Sequence, residues 1–165
     1  MGVKTLVNGL SKLLGMPAYN NHTMDCAFCE IIKGQSPASV VFADDLVSVI
    51  VPLNPFTTGH CLVVPNKHAQ SILELSQSVF IRMAEVGQKI AGAIKKSKYK
   101  SDGINLWLSD GKDAGQDVMH VHLHVFPRYE GDGFEVTFHS DHKHTDRGYL
   151  DDIAKELKSH LPSEL

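Results

Sequence analysis

Long apolar runs are missing from this sequence: none approaches the roughly 20 residues that a membrane-spanning helix requires. Cysteine is scarce. The three present are an odd number that cannot all pair within one chain, and Cys26 and Cys29 stand too close to staple much. Positive charge is not in surplus, since 16 Lys and Arg face 19 Asp and Glu for a formal net charge of −3. No stripe for nucleic acid is therefore expected, and Lys95-Lys96-Ser97-Lys98 reads as a solvated helix end. There is no triphosphate-type glycine loop and no acidic cluster for magnesium, which argues against kinase-like chemistry. Internal repeats and low-complexity tracts are also lacking. What is left is a globular chain of 165 residues, long enough for one real core, in a reducing and most simply cytoplasmic setting. Cys61 falls inside an apolar run and reads as core, and Cys26/Cys29 as a metal half-site.

Histidine is what the chain has in unusual arrangement. His120-Val121-His122-Leu123-His124-Val125-Phe126 alternates imidazoles with apolar residues, the pattern of a strand with one wet and one buried face. The three histidines then form a row, with Val121, Leu123 and Val125 packed behind them. A neutral imidazole needs partners for both nitrogens, so packing explains such a row poorly; a metal site or a phosphate-handling site explains it well.

Residues 1–24 read as an N-terminal extension. Leu6, Val7, Leu10, Leu13 and Leu14 share one helical face and no acid occurs before Asp25. An organellar targeting helix and a helix packed on the domain or on a partner both fit, although targeting helices usually carry Arg and this stretch has none.

The domain proper is expected over residues 25–129. A knuckle at Cys26–Cys29 runs into a short helix ended by Gly34 and Pro37. Ser39 to Ala43 and Val47 to Val51 read as a hairpin about Asp44-Asp45, and His60 to Val64 as a buried strand stopped by Pro65. Val79, Met83, Val86, Ile90, Ala93 and Ile94 keep a helical period from about Ser76 to Lys98. A strand at Ile104 to Leu108 and a glycine-bearing loop, 109–116, lead to the histidine strand. Residues 130–165 form a C-terminal extension, with a short strand at Phe134 to Phe138, a solvated loop holding His139, His142 and His144, and a helix from about Asp146 to Leu161. The fold class expected is α+β: an antiparallel sheet with one long packed helix and a C-terminal helix.

Gly115-Gln116-Asp117-Val118-Met119-His120-Val121-His122-Leu123-His124 closely resembles the signature of the histidine triad (HIT) superfamily of nucleotide hydrolases and transferases. Cys26-x-x-Cys29-x-x-Ile32, Gly59-His60, Pro65-x-x-His68 and Pro127-Arg128-Tyr129 match in order and spacing. The resemblance implies that His122 is the nucleophile, attacking an α-phosphate to give a covalent nucleotidyl-imidazole, and that His124 and the amides of Gly115, Gln116, Asp117 and Val118 hold phosphate oxygens. It implies base-pocket walls at Phe28, Ile31 and Ile50, a further nucleotide contact at Ser109, and structural zinc on Cys26, Cys29, His68 and His120. It further implies a two-fold homodimer and a purine nucleotide substrate, such as a nucleoside phosphoramidate or related AMP conjugate. Dinucleoside polyphosphate hydrolysis, or nucleotide binding with weak turnover, is the alternative.

Three positions depart from the family pattern. Pro52 stands where an aspartate usually holds the ribose hydroxyls, Ser109 replaces an asparagine, and Asp117 replaces a serine beside the leaving group. An aspartate there brings negative charge toward a phosphate, so it must point away, be protonated, or pair with a histidine.

Overall fold

The computed structural model describes residues 26–99, 101–136 and 146–163. It divides into two compact units, one running to Phe134 and the other from Glu135. The N-terminal extension and His139, His142 and His144 lie outside the described residues.

The first unit is built on a five-stranded antiparallel sheet: β1 (Ser39–Ala43), β2 (Val47–Val51), β3 (Cys61–Pro65), β4 (Gly103–Leu108) and β5 (Leu123–Arg128), in the order β1-β2-β3-β5-β4. The expected hairpin forms where Asp44 accepts the Leu46 and Val47 amides on one carboxylate oxygen at 2.9 and 2.8 Å, closing the turn. Two helices flank the sheet, α1 (Ala27–Ile32) and the long α2 (Gln77–Lys96), which Ser76 caps through its side chain.

Strand alternation sorts the core into two layers. Val47, Val49, Cys61, Val63 and Val125 face α2 and pack on Met83, Val86, Ile90 and Ile94. Each fully buried valine contributes roughly 1.5–3 kcal/mol of transfer free energy. Helix and sheet approach closely at Gly87, where an added Cβ would sit 3.0 Å from Leu123 Cδ2. On the other face Ile50, Leu62 and Val64 pack against Cys26, Phe28 and Cys29, so α1 lies there. The functional residues gather on that second face.

The histidine stretch differs from a continuous strand. Ladder pairing begins only at Leu123, so His120 and His122 precede β5. The physical reason is local: the Val121 amide donates to Ala69 O at 2.8 Å, and His122 bonds back to the carbonyl of His120. Val121, Val125 and Leu123 join the core as the alternation requires. Nor do residues 134–136 form a strand. The amide of Phe134 donates to Asp132 and its carbonyl accepts from Arg128, which consumes the groups a ladder would use.

The second unit holds the helix α3 (Arg147–Ser159), capped by Asp146, which accepts the Gly148 and Tyr149 amides. Among the described residues no helix is long and apolar enough to cross a membrane.

Candidate active site and metal centre

Residues far apart in sequence converge on the second face. Cys26 and Cys29 open α1, His68 follows β3, and His120 precedes β5; their ligand atoms all lie within 4.8 Å of one another. His120 Nδ1 stands 3.4 Å from Cys26 Sγ, 3.6 Å from Cys29 Sγ and 3.3 Å from His68 Nδ1, and Cys29 Sγ is 3.3 Å from His68 Nδ1. Zinc with bonds of about 2.3 Å to sulfur and about 2.0 Å to nitrogen gives tetrahedral edges of about 3.3–3.6 Å for nitrogen–nitrogen and nitrogen–sulfur pairs. The donor set fits that ion in type, number and spacing. His120 Nε2 donates to Pro65 O at 2.9 Å, which leaves Nδ1 unprotonated toward the other ligands. Burial and the neighbouring Cys26 thiol push the Cys29 thiol up to about 12. All three cysteines are free thiols.

The nucleophile expected from the triad pattern lies one step along the chain. His122 Nδ1 donates to His120 O at 2.8 Å, so its lone pair is on Nε2. Burial lowers its pKa, against opposing contributions from that carbonyl bond and the Asp117 carboxylate. A neutral ring with a fixed tautomer is what phosphorus attack requires. Asp117 itself is exposed.

A fourth histidine completes the group, one that the sequence marks only through Gly59-His60 and as the first residue of a buried strand. The Phe56 amide donates to His60 Nδ1 at 3.0 Å, which forces the His60 proton onto Nε2. His60 Nε2 then donates to His124 Nδ1 at 3.0 Å, leaving the His124 proton on Nε2. Burial first, then repulsion between neighbouring imidazoles, holds His60 at about 4 and His124 at about 3, so both stay neutral. Phe56 stacks on both rings, with centroids 4.7 Å from His60 and 5.0 Å from His124. The usable signal was a histidine at the mouth of a wholly apolar strand, where it must be buried and must find two partners. Gly59, at φ +99, lets the chain reach His60, and a Cβ there would crowd Pro127 and Tyr99 at 3.2 Å.

The remaining expected residues divide. Phe28 lies edge-on to His122 at 5.2 Å, and Ile50, Ile31 and Val118 join its apolar cluster. Ser109 is buried and accepts from Trp107 Nε1 at 3.0 Å. Gln116 is committed to the loop: its side chain accepts from Gly111 N at 2.7 Å and donates to Gln70 O at 3.0 Å. The Gly115 and Gln116 amides are likewise spent on Lys112 O and Gly111 O. Among the described residues only the Asp117 and Val118 amides of this loop meet no acceptor.

Comparison with known proteins decides the family. The HIT domain family model matches residues 33–131. The chain belongs to the HIT family. It is 41% identical over 133 residues to an uncharacterized HIT-like protein of Methanocaldococcus jannaschii, covering 81% of this chain and 98% of that one. It is 39% identical over 108 residues to adenylylsulfatase HINT3 of Arabidopsis thaliana, covering 66% of this chain and 54% of that one. Among solved structures it is similar to a Zn-bound histidine triad family protein from Mycobacterium smegmatis, with a TM-score of 0.64 and 36% identity over 81% of this chain and 96% of that one. The α+β architecture expected for a HIT protein is the one observed.

Proposed function

We propose that this HIT protein is a nucleotide hydrolase or transferase that cleaves a nucleotidyl phosphoramidate or related AMP conjugate through a covalent nucleotidyl-His122. The observation that carries the reading is the pair of fixed tautomers: a lone pair on His122 Nε2 beside a proton on His124 Nε2, with the two rings 4.7 Å apart. A binding protein has no use for a nucleophile so prepared.

In the proposed reaction His122 Nε2 attacks the α-phosphorus. The phosphorus–nitrogen bond breaks with its electron pair on the leaving nitrogen, which takes a proton from solvent on the Asp117 side. His124 Nε2–H and the Asp117 and Val118 amides donate to the phosphate oxygens as charge shifts onto them. Water then attacks the same phosphorus, the bond to His122 breaks, and the nucleoside monophosphate leaves as the water's proton passes to solvent. Phe28, Ile31 and Ile50 wall the base. The Arabidopsis relative named for adenylyl sulfate supports a substrate with an adenylyl group. Dinucleoside polyphosphates, cleaved by the same nucleophile, are the second substrate class.

Zinc on Cys26, Cys29, His68 and His120 is part of the proposal, supported by the tetrahedral spacing and by the zinc-bound Mycobacterium relative. With four protein ligands its work is structural. A homodimer joined through a sheet edge and the long helix is also proposed. A substrate panel of AMP phosphoramidates, adenylyl sulfate and diadenosine polyphosphates, with His122→Ala as control, tests the reading. Turnover of an AMP conjugate that the variant abolishes is expected; no turnover of any member by the wild type overturns it.

A further inference from the structure

Phe28 lies between the two cysteines in sequence and between two histidines in space. Its ring meets His120 edge-on at 5.8 Å and 77°, and His122 at 5.2 Å and 65°. One neighbour belongs to the metal centre and the other to the chemistry. The helix that carries Phe28 is only six residues long, and its N-cap, Cys26, makes no side-chain capping bond. So short a helix has no stability of its own and must be held by what it touches. Apolar contacts to Ile50, Leu62 and Val64 supply one hold. The ligand set supplies the other, since Cys26 and Cys29 flank Phe28 and reach His68 and His120 on the sheet side.

We infer that occupancy of the Cys26–Cys29–His68–His120 centre sets the nucleotide pocket through α1, with Phe28 as the positioning residue that the clamped helix presses against His122. The inference rests on the reading of this face as a nucleotide site. With the four ligands joined, α1 is docked and Phe28 and Ile31 are set as base walls. With them separated, the helix loses its two anchored thiols and frays, taking both walls with it. A docked and an undocked α1 are two states of one element, and a ligand that favours one state shifts the balance. Coupling of this kind is reciprocal: the factor by which zinc tightens nucleotide binding is the factor by which nucleotide tightens zinc.

The test is a linkage measurement that needs no turnover. AMP affinity is measured calorimetrically on zinc-loaded and zinc-stripped protein, and zinc affinity by chelator competition with and without saturating AMP. The expected result is the same factor in both directions, about tenfold or more. Phe28→Leu, with its zinc content verified, should lower both ratios severalfold, because Ile31 is then the one α1 wall left through which the metal reaches the pocket. Chelator competition carries the test if the stripped chain loses its fold, since tightening through global folding alone persists in Phe28→Leu. AMP binding equal in loaded and stripped protein, or ratios unchanged by Phe28→Leu, overturns the inference alone. Failure of the loaded protein to bind AMP overturns the functional reading and the inference with it.

Discussion

His122 Nδ1 donates to the carbonyl of His120 across 2.8 Å, while the ring of His120 faces Cys26, Cys29 and His68. One residue thus serves two purposes: its side chain closes the Cys26–Cys29–His68 cluster and its backbone fixes the His122 tautomer. The break in the strand before Leu123 makes this possible. A fully paired ladder would have used the His120 carbonyl for a neighbouring strand.

The fourth histidine should matter for rate more than for binding. In His60→Ala the His124 Nδ1 loses its donor, and the His124 proton is no longer fixed on Nε2. Losing one oriented donor to a developing phosphate charge costs about 10²–10³-fold. Steady-state kinetics should show kcat falling by about that much with KM nearly unchanged. Equal kcat in the two proteins would show that His60 plays no part in orienting His124.

Acid should destabilise the fold in a window set by these buried rings. Unfolded, His60 and His124 titrate near the ordinary imidazole value of 6.5; folded, they are held at about 4 and about 3. Between those values the unfolded chain binds more protons, so stability rises with pH. The contribution is complete above a pH of about 6.5 and is lost as pH falls through the folded values. Asp44 and Asp132, whose pKa values are lowered by hydrogen bonds and arginine partners, lose their contribution only further into acid. Urea unfolding between about pH 7.5 and 4 should show a steep loss that is shallower in the His60→Ala, His124→Ala double variant. PH-independent stability across this window contradicts the assignment.

Much of this was legible in the sequence because periodicity and spacing report directly on packing. The hairpin at Asp44, the α2 stripe from Val79 to Ile94 and the alternation Val121, Leu123, Val125 all follow from which side chains must be buried. The Cys26/Cys29 spacing pointed to a cluster of metal-ligand type, which these thiols form with His68 and His120. Hydrogen-bond direction was not legible. No local pattern says that the Phe56 amide points at His60, that Gln116 is spent on Gly111 and Gln70, or that His122 turns back to its neighbour's carbonyl. Those depend on loop geometry, which short-range sequence rules describe poorly. Of the strand expected over Phe134 to Phe138, residues 134–136 are irregular for the same reason, since Arg128 and Asp132 capture the Phe134 backbone, and the rest lies outside the described residues.

Substrate preference should follow from Pro52, which stands just after β2 where the family usually has a carboxylate. A hydrogen bond to a charged group contributes about 1.5–3 kcal/mol, or roughly 10–100-fold in affinity. The native protein should therefore discriminate weakly between ribose and 2′-deoxyribose forms of an AMP conjugate. Pro52→Asp should raise the ratio of kcat/KM values for the two forms by about tenfold. Strong native selectivity for the ribo form would show that another residue, such as Asn54, grips the hydroxyls.

Assembly should depend on the β4 edge. Leu106 is half exposed there, and its Cδ2 lies 3.6 Å from where a Cβ on Gly87 of α2 would sit, so its side chain spans from the helix–sheet interface to the open edge. Small-angle scattering at micromolar concentration should give a dimer for the native chain, and Leu106→Glu should shift it toward monomer. A monomeric native protein contradicts the proposed homodimer.

The most direct measurement of the nucleophile is intact-mass spectrometry of protein quenched in acid-free conditions during turnover of an AMP phosphoramidate. The account requires an adduct of one adenylyl group per chain, mapped by peptide fragmentation to His122 and absent in His122→Ala. Turnover with no adduct in the wild type, or an unchanged rate in His122→Ala, would contradict covalent catalysis by this histidine.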